Sequence, residues 1–214
     1  MTVGSPRRAP LLIVGGLVLL IVVGVAAVRS RPAPTVGAAA VTALASAAPA
    51  PARYPAAGEA AADDEVAPAR LRIPALKLDA AVSAVGVDAE TGEVDVPPSV
   101  DRVGWYRFGP GVTATAGSIV VAGHVDSADQ GRGAFFRLSS LEPGDTMTLA
   151  GPGGEDRVFA VVARERYRKT RIPLAEYFAR DGAPRLTLIT CGGPFDNRTR
   201  HYRDNIVVTA EPVS

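Results

Sequence analysis

The segment LTLITCGG, residues 186–193, has the composition of a buried β-strand that ends in two glycines. Leucine, isoleucine and threonine suit a pleated sheet, and glycine lets a ligand or another backbone come close. A second apolar run, SIVVAG at residues 118–123, is followed directly by His124. The two runs predict strands that carry Cys191 and His124 to places where the rigid part of the fold meets a loop.

Similar short apolar or alternating runs continue through the last two thirds of the chain. Glycine, proline and aspartate turn signals separate them at short spacing. Further strands are predicted at residues 70–73, 80–85, 146–149, 157–163 and 206–209. Helical segments are brief, at residues 134–141 and 173–179. Many short strands with few helices predict an all-β domain, and a closed barrel is favoured over a sandwich.

An uninterrupted apolar stretch at residues 11–28 lies between Arg7 and Arg8 on one side and Arg29 and Arg31 on the other. A helix of this length spans about 27 Å, close to the roughly 30 Å hydrocarbon core of a bilayer. The alternative is a cleaved signal peptide, whose apolar core is usually only ~7–15 residues long. The sequence therefore predicts a single-pass signal-anchor over residues 1–29, with the rest of the chain outside the cell membrane.

Residues 30–67 are rich in alanine and proline and show no apolar periodicity. Because spaced prolines interrupt a helix, this stretch predicts a disordered linker that holds the following domain away from the membrane. Residues 68–214 remain as the folded domain, and about 145 residues are enough for one hydrophobic core.

Charge and ligand counts exclude several classes of function. With 23 basic and 22 acidic residues the chain is almost neutral, which gives no support for nucleic-acid binding. Its single cysteine and two histidines include no close-spaced pair that would start a zinc site. The glycine-rich segment at residues 151–154 lacks the lysine and hydroxyl residue of a phosphate-binding loop. Neither a metal nor another cofactor is predicted.

Cys191 is the only cysteine, so it cannot form an internal disulfide. It is either an inert buried thiol or a reactive one. A free thiol outside the cell is open to oxidation, which favours a thiol that is needed, and Cys191 is therefore a candidate nucleophile. His124 is a candidate general acid or base, or else a polar residue that turns out of a strand. His201 is its rival, but it lies among arginines in a predicted exposed loop.

Three arginines, Arg198, Arg200 and Arg203, lie between Cys191 and the predicted last strand. Attack on a carbonyl needs a donor for the oxyanion, and arginine offers a fixed charge with a forked set of donors. A hairpin between the two strands would bring one arginine back beside the thiol. The alternative for each of them is a basic loop that solubilises the rim of the barrel.

These motifs resemble the sortases, cysteine transpeptidases that attach proteins to the Gram-positive cell envelope. TLITC at residues 187–191 resembles the TLxTC signature of the family, and GHVD at residues 123–126 resembles its catalytic-histidine segment. The resemblance extends over about residues 70–212. The continuations CGGPFD at residues 191–196 and YRDNIVV at residues 202–208 are most similar to the class F group of actinobacteria.

The resemblance implies an eight-stranded β-barrel with the cysteine on the seventh strand and an arginine at the start of the eighth. It implies that Cys191 is the nucleophile, that His124 protonates the leaving amine, and that Arg203 is the catalytic arginine. Arg200 is the alternative arginine and otherwise contacts substrate, as do Thr190 and Gly192. The loop at residues 164–185 corresponds to the segment that shapes sorting-signal recognition, with a short helix at residues 171–177.

The implied reaction cleaves an LPXTG-like sorting signal between threonine and glycine through a thioacyl enzyme, without a cofactor. The acyl group then passes to an amine, either a peptidoglycan cross-bridge or a lysine. Two alternatives remain open from the residues. One is a tethered β-barrel binding domain with a structural cysteine, and the other is a sortase-like thiol hydrolase that does not ligate.

Overall fold

The computed structural model describes residues 35–46, 65–88 and 94–213. The strands in these ranges are β1 (Arg70–Ile73), β2 (Leu78–Val85), β3 (Val103–Tyr106), β4 (Ser118–Gly123), β5 (Asp126–Ser127), β6 (Gly131–Arg132), β7 (Thr146–Ala150), β8 (Asp156–Arg168), β9 (Arg185–Asp196) and β10 (His201–Pro212). The α-helices are α1 (Ala38–Ser46) and α2 (Leu174–Tyr177). Short 3₁₀ turns lie at Pro74–Leu76, Leu138–Ser140 and Lys169–Arg171.

Eight of the strands close into a barrel in the order β1, β2, β3, β4, β9, β10, β8, β7, and β7 pairs with β1 to complete the ring. The pairs β2–β3 and β4–β9 are parallel, and the remaining pairs are antiparallel. β5 and β6 form a separate two-stranded ribbon. Among barrel strands in chain order, β9 is the seventh and β10 the eighth. The prediction of an all-β, eight-stranded barrel with short helices is confirmed.

Alternation along the strands determines which side chains fill the barrel. On β9, Leu186 and Leu188 belong to the interior cluster, and on β10 Ile206 and Val208 do the same. The other interior side chains come from all around the ring and include Leu71, Ile73, Val121, Met147, Leu149, Phe159 and Val161. This continuous apolar interior fixes the ends of β4 and β9, where the candidate site residues lie.

A second apolar cluster covers part of the outer face of the barrel. Its strand members alternate with interior residues, as Val120 does on β4 and Val207 on β10. Tyr177 and Phe178, in and after α2, pack on these strands, and α1 contributes Val41. The loop between β8 and β9 is therefore packed on the wall of the barrel next to β10.

The prediction of a disordered linker is wrong for residues 36–46. Val36 exchanges backbone hydrogen bonds with Arg164 of β8 at 2.8 and 2.9 Å, and α1 follows with Val41 buried. The reason is that no proline occurs between Pro34 and Pro49, so the alanines of this interval are free to form a helix. Residues 65–67 also contact the barrel, since the Val66 carbonyl oxygen accepts from the Val112 amide at 2.8 Å. The rest of the predicted linker lies outside the described residues.

Other differences concern the ends and number of elements. The sequence does not predict β3, which is short and contains a glycine. The predicted helix at residues 134–141 is only the 3₁₀ turn Leu138–Ser140, whereas the predicted helix near residue 174 is found as α2. Strands β8, β9 and β10 continue beyond their apolar runs because each has a partner to pair with along its polar extension.

Among the described residues, no helix is both long and apolar enough to cross a membrane. The predicted span at residues 11–28 lies outside those residues.

Candidate active site

Cys191 and His124 come side by side just beyond the last parallel pair of β4 and β9. The register of β4 and β9 pairs Ala122 with Ile189. One residue further, the Thr190 hydroxyl donates to the Gly123 carbonyl oxygen at 2.7 Å, which continues the alignment. One more residue brings His124 beside Cys191. Because neighbouring strands lie about 4.8 Å apart, this register puts the two predicted residues within reach of each other.

Cys191 lies on the outer face of the barrel wall and is half-buried, and its thiol is free. Asn205 of β10 is directly opposite Cys191, and Tyr167 of β8 is opposite Asn205 on the other side. Directly paired residues share a face of a sheet, so these three form a row that continues towards His124. The side chain of Asn205 makes no hydrogen bond with any described residue, which leaves its amide available beside the thiol.

The His124 ring is held from the loop between β2 and β3. Its Nε2 atom lies 2.9 Å from the carbonyl oxygen of Pro97. The backbone of His124 is fixed as well, because its carbonyl oxygen accepts from the Phe135 amide at 3.0 Å. The Pro97 carbonyl oxygen therefore holds the ring, and the Phe135 amide holds the backbone that carries it.

The sequence predicts that Thr190 contacts substrate, and the structure places this residue directly before Cys191 on β9. Its side chain is buried, and its hydroxyl is committed to the Gly123 carbonyl oxygen inside the barrel. We therefore assign Thr190 to joining the ends of β4 and β9. Gly192 pairs with Asp204, and a side chain there would press against Ile206.

Gly193 allows the strand to change its path directly after the cysteine. Its φ is +73°, and a side chain at this position would overlap with the Asp204 carboxylate. Between the pairs Gly192–Asp204 and Phe195–Tyr202, β9 has two residues and β10 has only Arg203, so β9 forms a bulge here.

The alternation of side chains along β10 decides which arginine shares the face of the thiol. β10 alternates regularly, so Arg203, Asn205 and Val207 point to the same face as Cys191. Arg203 is a diagonal neighbour of Cys191, and its guanidinium Nη2 bonds to Asp196 Oδ2 at 2.9 Å. This hydrogen bond from Arg203 is the main cause that lowers the pKa of the Asp196 carboxyl group. Arg200 lies before β10 with φ +57° and is exposed in the hairpin turn.

The rival histidine is not part of this row. His201 begins β10 opposite Asp196 and is exposed, four residues along β10 from Asn205, the residue that pairs with Cys191. Within residues 35–46, 65–88 and 94–213, no group of three or more histidine, cysteine, aspartate or glutamate side chains could hold a metal ion.

A hydrogen bond that the sequence does not indicate ties the histidine loop to the last hairpin. The Tyr202 hydroxyl donates to Asp126 Oδ2 at 2.6 Å, and Asp126 is only two residues after His124. The hydrogen bond to Asp126, together with burial, raises the pKa of Tyr202 to about 12. The ring of Phe195 meets the Tyr202 ring edge-on, with 5.1 Å between the ring centroids.

A buried carboxylate fastens the β8–β9 loop to the barrel. Glu165 Oε1 accepts from the Tyr167 hydroxyl at 2.8 Å, and its Oε2 accepts from the Tyr177 hydroxyl at 2.7 Å. Burial raises the pKa of Tyr167 to about 12 and also raises the pKa of Tyr177. Tyr167 belongs to the row of Cys191, so this network fixes the loop next to the candidate site.

Comparison with solved structures identifies the fold. Sortase A from Corynebacterium diphtheriae is 19% identical with a TM-score of 0.53, covering 71% of this chain and 62% of that chain. Sortase C-1 from Actinomyces oris is 18% identical with a TM-score of 0.53, covering 68% and 73%. The pilus-related sortase C of Group B Streptococcus is 12% identical with a TM-score of 0.52, covering 72% and 69%. At these identities the likeness establishes the fold alone.

Comparison with sequence families gives the assignment. No curated protein matches the chain. The family described as Sortase domain matches residues 71–213, which is more than half of the chain and includes every barrel strand except the first residue of β1. The chain therefore belongs to the sortase family of cysteine transpeptidases.

Proposed function

We propose that this protein cleaves an LPXTG-like sorting signal between threonine and glycine and transfers the acyl part to an amine. The observation that carries the proposal is the adjacency of Cys191 and His124 where the pairing of β4 with β9 ends, with Arg203 on the same face. A nucleophile, an acid and a fixed cation on one face are the groups that acyl transfer through a thioester needs.

In the first half of the reaction, the deprotonated Cys191 sulfur attacks the carbonyl carbon of the substrate threonine. The new carbon–sulfur bond forms a tetrahedral oxyanion, and donors from Arg203 and the Asn205 amide would face it. The carbon–nitrogen bond then breaks, and His124 gives its proton to the departing glycine amine. The product is a thioacyl enzyme.

In the second half, an amine from a peptidoglycan cross-bridge or a lysine side chain attacks the thioester. His124 takes the proton that the amine loses, a new amide bond forms, and the Cys191 thiolate leaves. Water in place of the amine would give hydrolysis instead, so exclusion of water decides between the two outcomes. The loop between β8 and β9, held by Glu165, is the wall we assign to this task.

Finer assignments follow from the sequence motifs. The segments at residues 191–196 and 202–208 support membership of the class F group of actinobacteria. The apolar stretch at residues 11–28 supports a single-pass anchor in the cell membrane with the catalytic domain outside. Proteins with a sorting signal are the expected partners on that side.

The test uses the full chain in detergent micelles with a fluorescent LPXTG-type peptide and an amine acceptor, with products identified by mass spectrometry. We expect a ligated product that Cys191→Ala abolishes and His124→Gln reduces by about 10²–10⁴-fold. His201→Gln is the matched control and should keep full activity, because His201 lies outside the row of Cys191.

Two other outcomes would assign a different function. Cleavage without ligation at saturating amine would identify a thiol hydrolase. No reaction with peptide or with a thiol-directed probe would identify a binding domain with a structural cysteine. A catalytic role for the pair would also be excluded if His124→Gln retained wild-type rates.

A further inference from the structure

We propose that Gln130 is a positioning residue for His124. It holds the Pro97 carbonyl group against Nε2 of the imidazole, and this contact leaves Nδ1 as the nitrogen that faces Cys191 and moves the proton. The inference rests on the proposed function for its catalytic meaning, but its structural part can be tested without any peptide substrate.

The contact with Pro97 determines which nitrogen of the His124 imidazole carries the hydrogen atom. Nε2 of His124 lies 2.9 Å from the Pro97 carbonyl oxygen. A carbonyl oxygen only accepts hydrogen bonds, so Nε2 must carry a hydrogen atom. A neutral imidazole has one protonated and one bare nitrogen, and the partner of one nitrogen therefore fixes the state of the other. Nδ1 is the bare nitrogen of the neutral ring.

The short side chain of Cys191 limits which imidazole nitrogen can reach its sulfur atom. A cysteine side chain ends at Sγ, only one bond beyond Cβ, so its partner nitrogen has to lie close to the level of the backbone. Nδ1 is bonded to Cγ of the histidine and meets this requirement, whereas Nε2 is at the far side of the ring. Nε2 is engaged by the Pro97 carbonyl oxygen of the β2–β3 loop. We therefore assign Nδ1 as the nitrogen that faces Cys191.

The loop that carries the Pro97 carbonyl group is held by Gln130. Gln130 makes two hydrogen bonds to this loop: its Nε2 donates to the Pro98 carbonyl oxygen at 3.0 Å, and its Oε1 accepts from the Val100 amide at 3.2 Å. Two consecutive prolines restrict the backbone at this point and have no amide hydrogens that could compete for acceptors. One glutamine side chain thus holds the first and the third residue after the acceptor of His124.

The same segment also anchors the histidine. Gln130 lies in the turn between β5 and β6, after the Asp126 that binds Tyr202. Directly beyond β6, the Gly133 amide donates to the Val125 carbonyl oxygen at 2.9 Å. The ribbon therefore holds the backbone next to His124 and the acceptor of its ring together. The hydrogen bonds of the Gln130 side chain go to the Pro97 loop and not to Cys191 or the ring, so we assign its effect to Pro97.

The experiment uses ¹⁵N-histidine NMR of the full chain in micelles. The chain has only two histidines, so in the His201→Gln variant every imidazole signal comes from His124. With the ring neutral, we expect a bare Nδ1 and a protonated Nε2. A protonated Nδ1 as the main form would overturn the assignment of the two nitrogens.

The role of Gln130 is tested with Gln130→Leu, of similar size, and with Asp129→Ala as the neighbouring control. We expect Gln130→Leu to give a mixture of tautomers and to lower kcat about tenfold with KM within about twofold. Asp129→Ala should change neither. Unchanged tautomer populations in Gln130→Leu would exclude the positioning role.

Gln130→Glu keeps the proposal testable if Gln130→Leu does not fold. Its carboxylate still accepts from the Val100 amide but cannot donate to Pro98, so we expect the same direction of change with normal thermal unfolding. Failures are also distinguishable. The expected tautomer without ligation contradicts only the proposed function, and ligation with a protonated Nδ1 contradicts only this inference.

Discussion

Directly before the thiol in the chain, Thr190 makes a contact inside the barrel wall. Its buried hydroxyl donates to the Gly123 carbonyl oxygen, directly before His124. A buried carbonyl group that loses its donor retains the cost of desolvation. The alignment of Cys191 and His124 therefore depends on one hydroxyl group between their two strands.

Thr190→Val keeps the shape of the side chain and removes this hydrogen bond. We expect the free energy of unfolding to fall by about 1–3 kcal/mol, measured by urea denaturation, because the Gly123 carbonyl group stays buried without its partner. The rate of ligation should fall as well, since the two strand ends lose their link. Thr190→Ser is the matched control. If Thr190→Val were as stable as Thr190→Ser, the hydrogen bond would not contribute to the free energy of unfolding.

Tyr167 and Tyr202 predict a loss of stability at alkaline pH. Both have a pKa raised to about 12 in the folded protein, against an ordinary value near 10. Between these values the unfolded chain has released the phenolic protons while the folded protein still holds them. Stability is therefore complete below pH 10 and falls as the pH rises towards 12.

The measurement is a set of urea unfolding curves between pH 9 and pH 12, with phenol absorbance followed in parallel. Tyr202→Phe keeps the ring contact with Phe195 but should remove one phenol that titrates near 12 and make the decline of stability less steep. Tyr167→Phe should likewise remove one phenol that titrates near 12 and make the decline of stability less steep. A phenol of Tyr202 that titrates near 10 would contradict the contact with Asp126.

At the scale of elements, α1 shows how a short helix outside the barrel is fastened to it. Gly37 has a φ of +78° and lies so close to β8 that a side chain would overlap with the Val162 carbonyl oxygen. Val41 then packs into the outer apolar cluster. The close approach at Gly37 is what lets the helix lie against the strand.

Gly37→Ala should therefore displace α1 from β8. We expect faster proteolysis within residues 35–46 and a modest fall in the temperature of unfolding, because the left-handed backbone and the overlap with β8 cost about 1–3 kcal/mol. Ala39→Ser, at an exposed position of the same helix, should behave as wild type. Equal proteolysis in the two variants would show that the contact at Gly37 does not hold the helix.

Some secondary-structure elements could be predicted from the sequence and others could not. Runs such as residues 118–123 were predictable because one apolar segment coincides with one strand. The extension of β8 to Arg168 was not, since its charged residues form a strand only because β10 pairs with them. Val41 was missed for a similar reason: a single apolar side chain in an alanine-rich stretch has no periodicity, and its partner surface lies on a strand far along the chain.

At the scale of the whole molecule, the candidate site was predictable where side-chain identity carries the signal. Cys191, His124 and Arg203 belong to short motifs that can be found by sequence alone. The Pro97 carbonyl group is a backbone acceptor 27 residues from His124, and no residue type marks such a contact. Asn205 could have been found by pairing the residues of the predicted hairpin, had the bulge at Gly193 been known.

Changes in the barrel far from Cys191 should affect stability more than catalysis, because the β1–β7 pair that closes the ring lies across the barrel from β9. β1 and β7 close the ring, and β9 is four strands from β1 in either direction. Leu149 of β7 is fully buried in the interior. Leu149→Ala should lower the free energy of unfolding by about 2–5 kcal/mol through the cavity that it leaves. At 15 °C, kcat/KM of the folded fraction should stay within about twofold, as distant sites act independently.

Gly193→Ala should lower the rate strongly, and its strained left-handed backbone should also cost about 1–3 kcal/mol of stability. The bulge after Cys191 needs the positive φ of Gly193 and the close approach to Asp204, so a methyl group there would shift the thiol against His124. A displacement of about 1 Å at a reacting group lowers the rate by roughly 10²-fold. Urea unfolding and ligation kinetics on the two variants test the separation together. A large loss of kcat in folded Leu149→Ala would show instead that the whole ring positions the thiol.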